Sequence, residues 1–225
     1  MSRLKKGRRF NLGYALGELL LITLGIYQAF ALNNWNESRK EGKLEQFYLN
    51  KLLTDVERDI AQLEWHLQID SSHIAGARVL DALLAQGRSV DRDSLKSFLN
   101  AFNVNPSFRM ADFSYRSLLQ SGDYRILRSD SLRNELDRFY LELMPGVIIT
   151  EEYYRNRLNE KYFPIKESVY MARSQEFINI DRLFDPVFRD NVYVLPAYIR
   201  QEMSQLELTL EAARQLSEGI RQQLR

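Results

Sequence analysis

The sequence predicts an all-α protein in which one N-terminal transmembrane helix runs on into a bundle of long helices with shorter ones between them. Three observations carry that reading. From Leu12 to Leu32 the chain is apolar, with Glu18 its sole charged residue and Gln28 its sole amide. Two later stretches, Leu49 to Ala77 and Ile199 to Leu224, repeat apolar residues at alternating steps of four and three. Glycine and proline number only 10 and 5 in 225 residues, and nothing alternates like a strand.

Residues 1–11 read as a basic tail, with Arg3, Lys5, Lys6, Arg8 and Arg9 and no acid. Residues 12–35 follow as the span, long enough for the roughly 20 residues that a ~30 Å hydrocarbon core requires. The far flank mixes Arg39, Lys40 and Lys43 with Glu37, Glu41 and Glu45. That bias puts the tail in the cytoplasm and residues 36–225 outside. Tyr14, Tyr27 and Trp35 lie near the two ends, where amphipathic rings favour the interface. A cleavable signal peptide is the competing reading, since Ala29-Phe30-Ala31 resembles a cleavage site. Signal h-regions run about 7–15 residues and this one is longer, which favours the anchor.

At about 100° per residue, Gly13, Tyr14, Gly17, Glu18, Leu21, Gly25, Gln28 and Ala29 fall on one side of the span. Leu12, Leu16, Leu19, Leu20, Ile26 and Phe30 occupy the other. Gly13-x3-Gly17 and Gly25-x3-Ala29 have the spacing that lets two helix backbones approach in lipid. A carboxylate facing acyl chains costs about 2–3 kcal/mol or more, so Glu18 is expected against another helix, protonated, or within reach of water at the cytoplasmic side. This face is the candidate association surface.

Beyond the span, helix is expected to continue through Asn36–Asn50 and on along a heptad stripe of Leu49, Leu53, Val56, Ile60, Leu63, Leu67, Asp70, Ile74 and Ala77, stopping near Gly87. Asp91 or Asp93 caps a short helix to about Phe102, and Asn103-Val-Asn-Pro106 breaks it. A second short helix spans roughly Asp112 to Gln120 and stops at Gly122. Ser129-Asp130 starts a longer one through Leu143, which Pro145-Gly146 interrupts before Val147 to Tyr162. Phe163 to Pro196 reads as turns and short helices. Pro196 then opens a last helix, with Ile199, Met203, Leu206, Leu210, Ala213, Ser217, Ile220 and Leu224 on its inner side, antiparallel to the first.

Two stretches carry a resemblance. Gly17 to Glu37, GELLLITLGIYQAFALNNWNE, resembles the opening G-E-x-L-L-x-x-x-G-I-x-x-A-x-x-x-N-N-W-N-E of a domain-of-unknown-function family of single-pass inner-membrane proteins of Gram-negative bacteria. Phe113–Gly122 and Ser131–Tyr140 resemble the same family's second segment, an S/T-Y-x-x-L-x-x-S-G turn followed by an L-R-x-x-L-x-x-Y-Y helix. Gln28-Ala29-Phe30-Ala31 departs from the family's usual order of alanine, leucine and glutamine. The resemblance implies a periplasmic helical domain on one inner-membrane anchor and implies no reaction.

The composition narrows function mainly by exclusion. With 31 basic and 30 acidic residues interspersed, net charge +1, no nucleic-acid-type basic face is implied beyond the N-terminal tail, which topology explains better. Without cysteine there is neither disulfide nor thiol catalysis nor a Cys-based zinc site. No nucleophile constellation, phosphate loop or dinucleotide fingerprint occurs, and Glu151-Glu152 reads as surface charge. His66, Asp70 and His73, spaced i, i+4, i+7, share one helix side and are the candidate metal ligands, against a reading in which both histidines flank the stripe and Asp70 pairs with an arginine. The expectation is a non-enzymatic membrane-anchored scaffold or accessory protein without a cofactor, meeting the bilayer and a second copy or another membrane protein. An extracytoplasmic sensor or ligand-binding module, or a subunit of an ion pathway lined by Glu18 and Gln28, is the alternative.

Overall fold

The computed structural model describes residues 12–225, with side chains from Leu16 onward. The basic tail therefore lies outside the described residues, as do the surroundings of Gly13 and Tyr14. Among the described residues the protein is all-α apart from one hairpin of two two-residue strands. By contacts it divides between Phe47 and Tyr48 into two units.

The first unit holds the N-terminal part of helix α1, Leu12–Ala85. Among the described residues this is the one helix long and apolar enough to cross a membrane, and its most apolar window buries nothing. No Pro interrupts α1 between the apolar run and the heptad stripe, and the one Gly there, Gly42, is tolerated in a long helix at about 1 kcal/mol.

The second unit is a bundle around the rest of α1 and the last helix, α7, Pro186–Gln223. Arg214 pairs with Glu64 at 2.8 Å and Arg221 with Glu57 at 2.7 Å. A seven-residue advance on one helix matches a seven-residue retreat on the other, so the two run antiparallel. Between them lie α2 (Arg92–Leu99), α3 (Phe113–Ser121), α4 (Asp130–Asp137), α5 (Met144–Arg157) and α6 (Phe163–Val169). The hairpin β1 (Tyr170–Met171) and β2 (Glu176–Phe177) then leads to α7.

Local chemistry accounts for the ends of these helices. The Asp91 side chain accepts the Ser94 N–H, Ser129 accepts that of Leu132, and Asp185 accepts that of Val187. Helix α3 stops at Gly122, whose φ of 77° a side chain would strain.

Two expectations are corrected. Helix α7 begins ten residues earlier than Pro196 suggested: Asp185 caps it, Pro186 fills its first turn, and Pro196 sits buried inside it. Pro145 does not break its helix either. A π-helical turn, Arg138–Leu143, precedes it, and another, Leu158–Tyr162, precedes Pro164. Proline lacks an N–H and crowds the carbonyl four residues back, and a widened turn relieves both.

The bundle has two apolar cores. One gathers Leu49, Leu52, Val56 and Leu63 of α1 with Met144, Val147, Leu206, Ala213 and Ile220. The other gathers Ala77, Leu80 and Leu84 with Tyr154, Leu158, Tyr162, Val192, Leu195 and Ile199. On α1 the boundary lies between Leu63 and Ala77, on α5 between Val147 and Tyr154, and on α7 between Ile199 and Leu206.

Candidate functional site

What fills the boundary between the cores is polar. On α1 the buried residues there are His66, Asp70 and His73; on α5 it is Glu151; on α7 it is Glu202. Asp70 is 3 % exposed and Glu202 2 %. The sequence periodicity places Leu53, Ile60, Leu67 and Ile74 on the inner stripe of α1. The fold turns the helix so that these are half-buried, while their neighbours Leu52, Asp59, His66 and His73 are fully inside. The histidines are therefore core residues and do not flank the stripe. On α7 the same rotation buries Glu202 and leaves Met203 at the edge.

Each member has a distinct environment. The Tyr154 hydroxyl and His73 Nδ1 are 3.1 Å apart, and His73 has a backbone hydrogen bond with Val104. The His73 ring tilts against Phe102, and His66 sits against Phe108 and Trp65. Burial holds both imidazoles below their usual pKa, with the Arg155 charge adding to the effect at His66. Burial pushes Asp70 up to about 7. It pushes Glu202 up to about 8, the neighbouring Asp70 adding to the rise and Arg155 opposing it. Asp70 Oδ2, Glu202 Oε2 and His66 Nε2 are buried without a hydrogen-bond partner. Below neutral pH the arrangement favours protonated carboxyls beside neutral rings, because burial penalises the charged form of each.

Among the described residues, no three His, Asp or Glu side chains stand close enough to hold a metal ion. His66, Asp70 and His73 share one buried side of α1, as their spacing implied; the histidines lie against aromatic rings, and Asp70 lies near Tyr154 and Glu202.

Glu202 and Arg155 did not stand out in the sequence, and the reading of Glu151 is corrected. Glu151 is no surface charge: it is buried, pairs with Arg155, and accepts the Phe108 N–H at 3.0 Å. Its i, i+4 arginine was the available signal. Glu152 is exposed.

A related row pins the segment between α2 and α3, and the first turn of α3, onto α1. Asp55 accepts the Ser114 N–H at 2.9 Å and Asp59 that of Ala111 at 2.8 Å. Gln62 bonds both the N–H and the carbonyl of Arg109. Spaced i, i+4, i+7, these side chains supply partners to backbone groups that have none within a helix of their own, the Asp55 carboxylate doing so at the first turn of α3.

The two motifs read in the middle of the chain serve this framework. Tyr115 and Tyr124 both donate to Asp137 Oδ1, the former at 2.6 Å, and Leu118 is fully buried. Ser121 accepts the Asp123 N–H beside Gly122, and Arg133 donates to the Leu127 carbonyl. Leu132, Leu136, Phe139 and Tyr140 enter the first core.

In the first unit, Gly17, Glu18, Leu21, Gly25, Gln28 and Ala29 of the candidate association face are all exposed, and a Cβ added at Gly17 or Gly25 would meet nothing within 4 Å. Residues 18–169 match the model of a family of unknown function. That match starts inside the apolar part of α1 and ends with α6, leaving α7 and Glu202 beyond it. No curated protein and no solved structure matches.

Proposed function

The chain belongs to that family, DUF6090, and we propose that it is a non-enzymatic membrane-anchored scaffold or accessory protein of the bacterial inner membrane. In this reading residues 12–35 cross the bilayer, the basic tail stays in the cytoplasm, and the bundle stands in the periplasm. The span associates with a second copy or another membrane protein through Gly13, Gly17, Glu18, Leu21, Gly25, Gln28 and Ala29.

The observation that carries it is an apolar helix face that the protein itself leaves uncovered. Leu16, Leu19, Leu20, Leu21, Ile22, Leu24, Ile26 and Phe30 are each more than half exposed. Apolar surface on that scale is stable in lipid or against a partner and not in water. The bundle, in contrast, closes its own two cores. The small and polar residues gathered on one side of the span suit helix–helix contact in lipid, where packing and hydrogen bonding take the place of the hydrophobic effect.

The test is the mass of the full-length chain in mild detergent. A mass above that of one chain is expected, falling to the monomer in Gly17→Leu. A monomer unaffected by that substitution overturns association. Orientation is tested separately: protease added to spheroplasts should digest the bundle, and protection of the bundle overturns a periplasmic location.

A second reading, an extracytoplasmic sensor signalling through a membrane partner, draws on the buried ionisable layer, which packing alone does not call for.

A further inference from the structure

The layer is notable for where it lies. Buried polar residues are ordinarily scattered and satisfied, each worth its hydrogen bonds. Here five of them, His66, Asp70, His73, Glu151 and Glu202, share one level of the bundle, where α1, α5 and α7 all pass from one apolar core to the other. Three of their atoms, one on His66, one on Asp70 and one on Glu202, have no partner. Helix α5 at this level is also bracketed by the two π-helical turns, Arg138–Leu143 and Leu158–Tyr162, where the backbone is already widened.

We propose that this layer is a proton-controlled joint: with Asp70 and Glu202 protonated the two cores pack as one body, and loss of those protons separates α7 from α1 at that level. The charge arithmetic favours opening over internal compensation. The charged and titratable groups near the two carboxyls are each other, Tyr154 and Arg155 on α5, and His66 and His73, which share the buried side of α1 with Asp70. Burial keeps both histidines neutral above their usual range, so neither supplies a positive charge as the acids ionise. Burial and the two nearby acids keep the Tyr154 hydroxyl protonated. The one facing cation, Arg155, is already paired with Glu151. Two carboxylates formed here would repel each other while the nearby cation, Arg155, is already engaged by Glu151, and opening the joint to solvent is the relief the structure offers. The proposal concerns the bundle alone and stands whether or not the span self-associates.

Amide hydrogen exchange on the full-length chain in detergent tests it, read at pH 6 and pH 9 with rates corrected for base catalysis. Peptides covering 66–73 and 199–206 are expected to exchange at least about tenfold faster at pH 9, since each pH unit above a carboxyl's range favours the ionised, open state by up to tenfold per proton. Peptides covering 49–56 and 213–220 should change far less. In Asp70→Asn/Glu202→Gln, whose side chains stay neutral, the excess of 66–73 and 199–206 over the rest of the bundle should vanish, leaving only the smaller response due to Asp59. Equal corrected rates at the two pH values overturn the joint. So does a uniform change across the bundle, or an unaltered response in the double variant. Infrared spectroscopy of the unmodified chain needs no variant: a protonated-carboxyl C=O band present at pH 6 should be lost by pH 9. Absence of that band at pH 6 overturns the proposal as well.

Discussion

Single side chains in the bundle are set by where the backbone needs a partner or has no room. Asp59 is fully buried and holds the Ala111 N–H, and burial raises its pKa to about 7. Asp59→Ala leaves that N–H without an acceptor and should cost about 1–3 kcal/mol in denaturant unfolding. Asp59→Asn keeps an acceptor oxygen and cannot ionise, so it should match the parent at pH 6 and exceed it in stability at pH 8.5. Gly76 is a case of missing room: a Cβ there would stand 2.9 Å from that of Ala101. Helix propensity favours Gly76→Ala by about 1 kcal/mol, while overpacking costs about 1–3 kcal/mol. The clash should win, giving a lower thermal midpoint. None of this was readable from residue type, because both effects depend on a segment distant in sequence.

Helix identity and most helix ends were legible, for the reason that caps and breakers act within a few residues of themselves. Asp91, Ser129 and Gly122 each do what their positions promised. Pro196 misled, since proline at a first turn and proline buried mid-helix look alike without knowledge of what precedes them. The real start is Asp185 followed by Pro186, and Asp185→Ala should cost about 1 kcal/mol, measured by chemical denaturation, with α7 retained. The two π-helical turns were equally hidden. A proline marks each place, but only packing on both sides decides that the helix widens and continues instead of ending. The buried face of α1 was found to within one residue of rotation. That residue matters, because it exchanges Ile60, Leu67 and Ile74 for Asp59, His66 and His73 at the centre of the core.

The ionisable layer makes the stability of the whole bundle depend on pH in a direction that can be worked out. Asp59 and Asp70 rise to about 7 and Glu202 to about 8, from ordinary values of 3.8 and 4.5. The folded protein therefore keeps protons that the unfolded chain gives up near pH 4, and the stability this adds disappears as pH climbs through about 7–8. His66 and His73 act oppositely: their lowered values give stability that is complete above 6.5 and lost below it. Above pH 6.5 the carboxyls act alone. The thermal midpoint should accordingly fall between pH 6.5 and 9, by about 5 °C for a domain of this size. A midpoint that rises over that interval would mean the three acids are ionised in the folded protein.

The sequence by itself determined the helical class, the apolar run at the N-terminus, the two long amphipathic helices and most of their boundaries, because hydrophobic period and capping chemistry are local properties of a chain. The tertiary structure decided which flank of each helix is innermost, that one core became two, and that His66, Asp70, His73, Glu151 and Glu202 meet at the level between them. Those outcomes come from the mutual rotation of α1, α5 and α7. That rotation is fixed by the fit of side chains far apart in sequence, and it can carry a carboxylate inward when the apolar neighbours around it are worth more buried than the acid costs.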